Sequence, residues 1–208
     1  MRKVVIGLLF LVCLSFRVEA AVVPSDDPVG QKVDVYFSDT FAKLKLAADA
    51  VSGPADFRKA MRPVITGVPG IFGGSYIDEN WVIREVLFPS HFLARGFDLK
   101  GVGELHYFQD KLKEEPGAQL SEPAHGSIAQ PRLIAMRYPI QKDGKVQGLV
   151  SMMVRTTFFL KAVGLDKAKA YEIICLGKSA ETHGTLGDDY KEIRLSLPST
   201  EWVIRYRM

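Results

Sequence analysis

Tyr138-Pro-Ile-Gln-Lys-Asp-Gly-Lys-Val-Gln-Gly-Leu-Val150 is the stretch on which the fold turns. Asp143-Gly144 sits between two apolar runs, and a two-residue hairpin turn needs positive φ at both central positions, which Asp-Gly tolerates better than almost any other pair. The runs on either side, Arg132 to Ile140 and Val146 to Arg155, therefore read as paired antiparallel strands. Side chains alternate along a strand. Arg132, Ile134, Met136 and Tyr138 share one face and Leu133, Ala135 and Arg137 the other, while Val150, Met152 and Val154 oppose Leu149, Ser151 and Met153. Both faces are apolar, so alternation alone leaves open which of them borders a pocket.

Upstream, Ile71 to Asp78 and Trp81 to Phe88 form a second hairpin across Asp78-Glu79-Asn80. Between the hairpins, Pro89 to Gln130 is a long excursion rich in Gly and Pro, broken by one helical piece from Glu104 to Glu114. Its many large apolar groups, Phe92, Leu93, Phe97, Tyr107, Phe108 and Leu112, argue against disorder, and ordered excursions of this length are usually functional. Towards the N-terminus, Val33, Tyr36, Phe37, Thr40, Leu44 and Ala47 keep the spacing of one helical face. That helix should end near Ser52-Gly53-Pro54 with Gly53 at C′, and a second should run from Pro54 to Arg62, where Pro63 stops it. Downstream, Thr156 or Thr157 caps a short helix to Gly164. Strands follow at Ala170 to Leu176, Lys191 to Leu197 and Glu201 to Arg207, with a polar loop from Gly177 to Asp189. The order predicts an α+β domain on one antiparallel sheet.

The first twenty residues read as a secretory signal peptide: basic Arg2 and Lys3, an apolar run from Val4 to Phe16, and Ala20 before the cut. The run is shorter than the roughly 20 residues that a membrane-crossing helix needs. The expectation is a periplasmic or secreted product in which residues 21–208 form a single domain. Without the leader the formal charge of +3 falls to +1, because residues 1–20 carry three basic groups and one acid, and a nucleic-acid partner is then not expected. Of the two cysteines, Cys13 lies in the leader, so no internal disulfide can form and Cys175, in an apolar strand, reads as a structural residue.

The layout resembles the extracytoplasmic PAS-like sensor modules called Cache domains. The resemblance is carried in order by Gly74-Ser-Tyr-Ile-Asp78, Ala94-Arg-Gly-Phe-Asp-Leu99, Leu120-Ser-Glu-Pro123 and the Tyr138 to Val150 hairpin, covering residues 30 to 165. More loosely, Glu201-Trp-Val-Ile-Arg205 is similar to the last strand of such domains. It implies a PAS-like antiparallel sheet with a long N-terminal helix on one face and a small-molecule pocket under the excursion on the other. Family members usually lie between two membrane spans and feed a signalling domain; neither is seen here, so the expectation is that the signal passes to another protein, such as a membrane-bound signalling or transport protein, or that the module simply binds and holds its ligand. The amino-acid-binding branch holds its ligand with Arg-x-Trp-Tyr, a Tyr after Ser-x-Pro, and an Asp after the closing-hairpin Gly. Those positions fall here on Leu105, Tyr107, Phe108, Ala124 and Leu149. A buried ammonium without its carboxylate costs several kcal/mol, so an ordinary α-amino acid is not the expected ligand.

No catalytic, phosphate-loop, haem or metal motif stands out, and neither enzyme chemistry nor a cofactor is expected. His91, His106 and His125 share the excursion and could converge, while His183 is remote in sequence. The candidate ligand-binding residues are Tyr76, Trp81, Tyr107, Phe108, Arg137 and Met152. Arg137 is the most informative, because a half-buried guanidinium needs an anion: a ligand carboxylate, or an internal partner such as Glu85 or Asp78. The functional expectation is an exported module that binds a small organic ligand. The alternative is an envelope structural or adaptor protein whose pocket is filled by its own side chains, which an exposed apolar stripe on the 33-to-47 helix would favour.

Overall fold

The computed structural model describes residues 21–22, 26–87, 94–121, 123, 132–197 and 199–208. The expected signal peptide, His91 and His125 lie outside them, as does Ala124. In chain order the elements are β1 (Ala21–Val22), α1 (Pro28–Ala50), α2 (Pro54–Gly67), β2 (Ile71–Asp78), β3 (Ile83–Val86), α3 (His106–Glu114), β4 (Gln119–Leu120), β5 (Leu133–Lys142), β6 (Lys145–Arg155), α4 (Thr156–Val163), β7 (Ala170–Cys175), β8 (Lys178–His183), β9 (Lys191–Leu197) and β10 (Thr200–Arg207). The α+β, PAS-like class holds, but the single sheet does not: the strands form two five-stranded antiparallel sheets, ordered β3-β2-β6-β5-β4 and β1-β9-β10-β7-β8. The carboxyl-terminal strands pair with one another and with β1 instead of extending the first sheet.

The β5–β6 hairpin turns at Asp143 (φ 51°) and Gly144 (φ 73°), both left-handed as the dipeptide requires. Its register sets Met136 opposite Met152 and Arg137 opposite Ser151. On one face of the first sheet, Tyr76, Met136, Tyr138, Val150 and Met152 pack with α1 and α2 into the main core, which continues into Ile193, Trp202 and Ile204 of the second sheet. α1 backs both sheets, lying along β5 and β6 while its Phe37 ring meets Trp202 edge-on at 5.7 Å. Asp27 fastens its start: the carboxylate accepts from the backbone N–H of Val29 and Gly30, pairs with Lys191 at 2.8 Å and accepts from the Tyr206 hydroxyl.

The local departures have simple causes. Gly53 is extended and caps α2 instead of closing α1, whose last residue is followed by Val51. Pro63 lies inside α2, which runs on to Gly67 because Val64 is buried, with Thr66 Oγ1 donating to the carbonyl of Arg62. Arg155, not a threonine, occupies the position before α4, and Gly164 closes that helix at φ 85°. The loop expected from Gly177 to Asp189 contains β8, an edge strand whose polar sequence conceals it.

Candidate functional site

The face of the first sheet away from α1 is covered by the excursion. Ile77, Trp81, Phe108, Leu112 and Leu149 form a second apolar cluster there, so α3 is held down by its own buried side chains. Gln119 on β4 strengthens the attachment, its side-chain amide donating to the Phe108 carbonyl at 2.8 Å. Beside this cluster opens a pocket of about 520 Å³. Leu133, Ala135 and Arg137 of β5 and Met153 of β6 contribute the sheet side; Leu105, Tyr107 and Phe108 contribute the helix side. Cys175, Leu176 and Lys178, at the turn from β7 to β8, bring in the second sheet, and Glu104 and Ser121 complete the lining.

Arg137 is the buried charge of this pocket, only 7% exposed. Its Nε and Nη1 reach no hydrogen-bond acceptor among the described residues. The internal partners considered for it are taken: Asp78 pairs with Arg84 at 2.5 Å and accepts from the Asn80 and Val82 backbone, and Glu85 pairs with Arg58 and Arg95 at 2.9 and 2.5 Å. What Arg137 does meet is the Phe108 ring, 5.8 Å from its Cζ, a cation–π contact that favours the charge without neutralising it. Burial lowers its pKa to about 10, still far above neutral, so the pocket wall carries a permanent cation in an apolar setting. Such a guanidinium is suited to accept a planar, bidentate anion.

Three of the six sequence candidates, Tyr107, Phe108 and Arg137, are brought together at this pocket. Tyr76 and Met152 are not: alternation turns them to the helix face, where the Tyr76 ring lies 6.4 Å from Phe57 and Met152 is fully buried against the main core. Trp81 is on the excursion side but lines a neighbouring cavity, with Asp78, Lys100 and Gln109. The residues not anticipated are Leu133 and Met153, which share the Arg137 face by the same alternation, and the β7–β8 turn, which no local pattern connects to the excursion. Cys175 is buried as expected, and it also borders the pocket. Among the described residues no group of three or more His, Cys, Asp or Glu side chains could hold a metal; His106 bonds the Lys100 carbonyl at 2.8 Å and His183 stacks on Tyr171.

The two-sheet arrangement with a long helix across it is the fold of extracellular ligand-binding sensor domains of the Cache type. The chain is similar to an extracellular ligand binding receptor from Desulfohalobium retbaense, with TM-score 0.62 and 15% identity over 87% of this chain, which spans 39% of that one. It is also similar to the ligand-binding domain of the Pseudomonas fluorescens chemoreceptor CtaA solved with L-alanine (TM-score 0.58, 14% identity, 86% of this chain and 91% of that one). The amino acid chemoreceptor PctC of Pseudomonas aeruginosa, solved with GABA, gives TM-score 0.59 and 12% identity over 86% of this chain and 94% of that one. No family model matches the chain, and no curated protein matches it at a significant level. At these identities the likeness is one of fold.

Proposed function

We propose that the protein is an exported, non-catalytic sensor module that binds a small organic anion at Arg137 and signals through, or delivers to, a membrane-bound signalling or transport protein. The observation that carries this reading is the buried guanidinium, without an acceptor for Nε or Nη1 among the described residues, in the wall of a pocket of about 520 Å³. Pockets of about 300–1,000 Å³ are the usual size for small-molecule sites. The similar structures named above are ligand-binding receptor domains, which supports the same class of function. Among the described residues no helix is long and apolar enough to cross a membrane. Cleavage after Ala20 would release residues 21–208 to the periplasm or beyond, and the mass of the exported product tests it.

Ordinary α-amino acids fit poorly. Leu105 and Leu149 stand where the amino-acid-binding branch has its Arg and Asp; Leu149 is buried among Phe108 and Leu112, and the acid that lines the pocket, Glu104, is exposed. An ammonium would have to give up water for apolar walls, at several kcal/mol. A ligand at 100 times its Kd should stabilise the protein by about 2.7 kcal/mol, a rise in Tm of several degrees. Thermal unfolding against carboxylates, amines, purines and aromatic metabolites therefore tests the reading: hits should be anions and should vanish in Arg137→Met. A flat response, or hits confined to cations, would overturn it.

The adaptor reading draws on one observation, that Val35 and Leu46 are 64% and 69% exposed on α1. Eleven residues apart is about three turns, so they share one flank of the helix. Retention of a membrane protein by the wild type but not by a Val35→Asp, Leu46→Asp double variant, with no ligand response, would favour it.

A further inference from the structure

The Arg137 pocket borrows part of its wall from the other sheet, and the residue it borrows is an unusual one. Leu176 occupies a left-handed backbone position, φ 51°, followed by Gly177 at φ 75°. A two-residue turn of this kind favours Asn or Asp followed by Gly, because a leucine side chain crowds the backbone there. Leu176 is also 41% exposed, and it lines the pocket. Tyr107 of α3, which lines the same pocket, is exposed to the same degree. A disfavoured backbone position that carries a large, half-solvated apolar group into a cavity indicates contact with whatever fills the cavity. The charges complete the description: Arg137 is the buried one, whereas Glu104 and Lys178 are exposed.

Resting on the reading of Arg137 as an anion site, we infer that the ligand is a monocarboxylate with an extended apolar or aromatic body and that it bridges the two sheets. Its carboxylate meets Arg137 on β5, its body passes Tyr107 and Met153, and its far end reaches Leu176 in the β7–β8 turn. Leu176 is thereby the specificity-determining residue for the body, and Arg137 the anchor for the head. A short acid would satisfy Arg137 and leave the second sheet untouched. A dianion would bring its second charge to walls that are apolar apart from Ser121 and the exposed, opposite charges of Glu104 and Lys178.

Calorimetric titration of the purified protein with butyrate, phenylacetate, 4-phenylbutyrate, succinate and L-phenylalanine tests this. Affinity should rise from butyrate to 4-phenylbutyrate, and succinate and L-phenylalanine should bind more weakly than 4-phenylbutyrate. Leu176→Asn, whose new residue suits the left-handed turn and so should fold, should weaken 4-phenylbutyrate about tenfold and leave butyrate unchanged. Arg137→Met should weaken every acid. Amide hydrogen exchange at Leu176 to Lys178 should slow with 4-phenylbutyrate and not with butyrate. If Leu176→Asn binds 4-phenylbutyrate like wild type, or the turn amides gain no protection, the bridging is wrong while the Arg137 site stands. If succinate or L-phenylalanine binds tightest, the ligand class is wrong. If no acid binds the wild type, the anion site itself falls with it.

Discussion

Replacing Arg137 with methionine should make the ligand-free protein more stable, although the residue lies in the middle of a ten-residue strand. Burial takes the guanidinium well below its ordinary value, down to about 10. At about 1.4 kcal/mol per pH unit, holding it charged at neutral pH costs the folded state about 3 kcal/mol. The Phe108 ring, 5.8 Å away, returns about 1 kcal/mol. Methionine keeps most of the volume and its sulfur can meet the same ring, so the replacement should gain about 2 kcal/mol. For a chain of this length that is a rise in Tm of about 4–8 °C. The sign with pH follows from the lowered value. The charged form is disfavoured on folding at every pH below about 10, so the gain is complete at neutral pH and shrinks only as pH climbs above 10, where the folded wild type sheds its proton, towards the ordinary guanidinium value. Thermal denaturation followed by circular dichroism at pH 7, without ligand, measures it. A Tm lowered by 2 °C or more would mean that the fold itself satisfies the guanidinium, and the case for an anion site would fail.

Leu176→Asn should raise stability by about 1 kcal/mol, the approximate cost of a left-handed position to an ordinary side chain, read from urea midpoints. Asp27→Ala should lower stability by about 2 kcal/mol, because it removes the α1 cap together with a partner of Lys191 and Tyr206. Burial raises the Asp27 pKa, but Lys191, Tyr206 and the Gly30 N–H outweigh it and bring the carboxyl below its ordinary 3.8. The wild-type advantage over Asp27→Ala should accordingly be full above pH 3.8 and close as the pH falls through the lowered value; a gap that does not narrow in acid would refute the role of the carboxylate. Gly148→Ala should be destabilising by about 2 kcal/mol or more, since at φ 152° an added Cβ would stand 2.5 Å from the Ile77 carbonyl oxygen in the β2–β6 ladder; a neutral effect would place the pairing elsewhere.

What was legible in the sequence was whatever the backbone states locally. Asp143-Gly144 set a turn, and alternation sorted residues 132–138 and 149–154 into the correct pair of faces, although a bulge between Ile140 and Gln141 shifts the pairing from the one counted from the turn. The choice between the faces was not legible, because the first sheet is covered on both sides and both sets are apolar. Tyr76 and Met152 were candidates for that reason, and the helix packing that claims them is a tertiary fact. β8 was lost to the opposite problem: Lys178-Ser-Ala-Glu-Thr-His183 is an edge strand whose exposed positions read as a loop. The contribution of Leu176 and Lys178 to the pocket depends on a second sheet that the strand patterns did not separate from the first. A left-handed leucine leaves no mark in composition or periodicity, although the Leu-Gly pair after an apolar strand is a turn signal in retrospect.

On this reading of the pocket, the path by which a ligand would reach a partner is short. Arg137 and Met136 are consecutive on β5, so one faces the pocket while the other packs in the core shared with α1. The start of the same segment is tied to the second sheet by Arg132, whose guanidinium pairs with Glu181 at 2.7 Å. A ligand anchored on Arg137 and touching Leu176 would therefore load both ends of a linkage that α1 already spans, from the bonds of Asp27 to Lys191 and Tyr206 of the second sheet to its packing along β5 and β6. Binding can shift such an arrangement only by as much as the ligand prefers one state to the other; a hundredfold preference is about 2.7 kcal/mol. Butyrate, which would reach Arg137 alone, should have little of that preference, whereas 4-phenylbutyrate should have most of it. The exposed flank of α1, with Val35 and Leu46, is where the difference would be presented. The sensor and adaptor readings then cease to compete, since the surface that favours the second would be the output of the first.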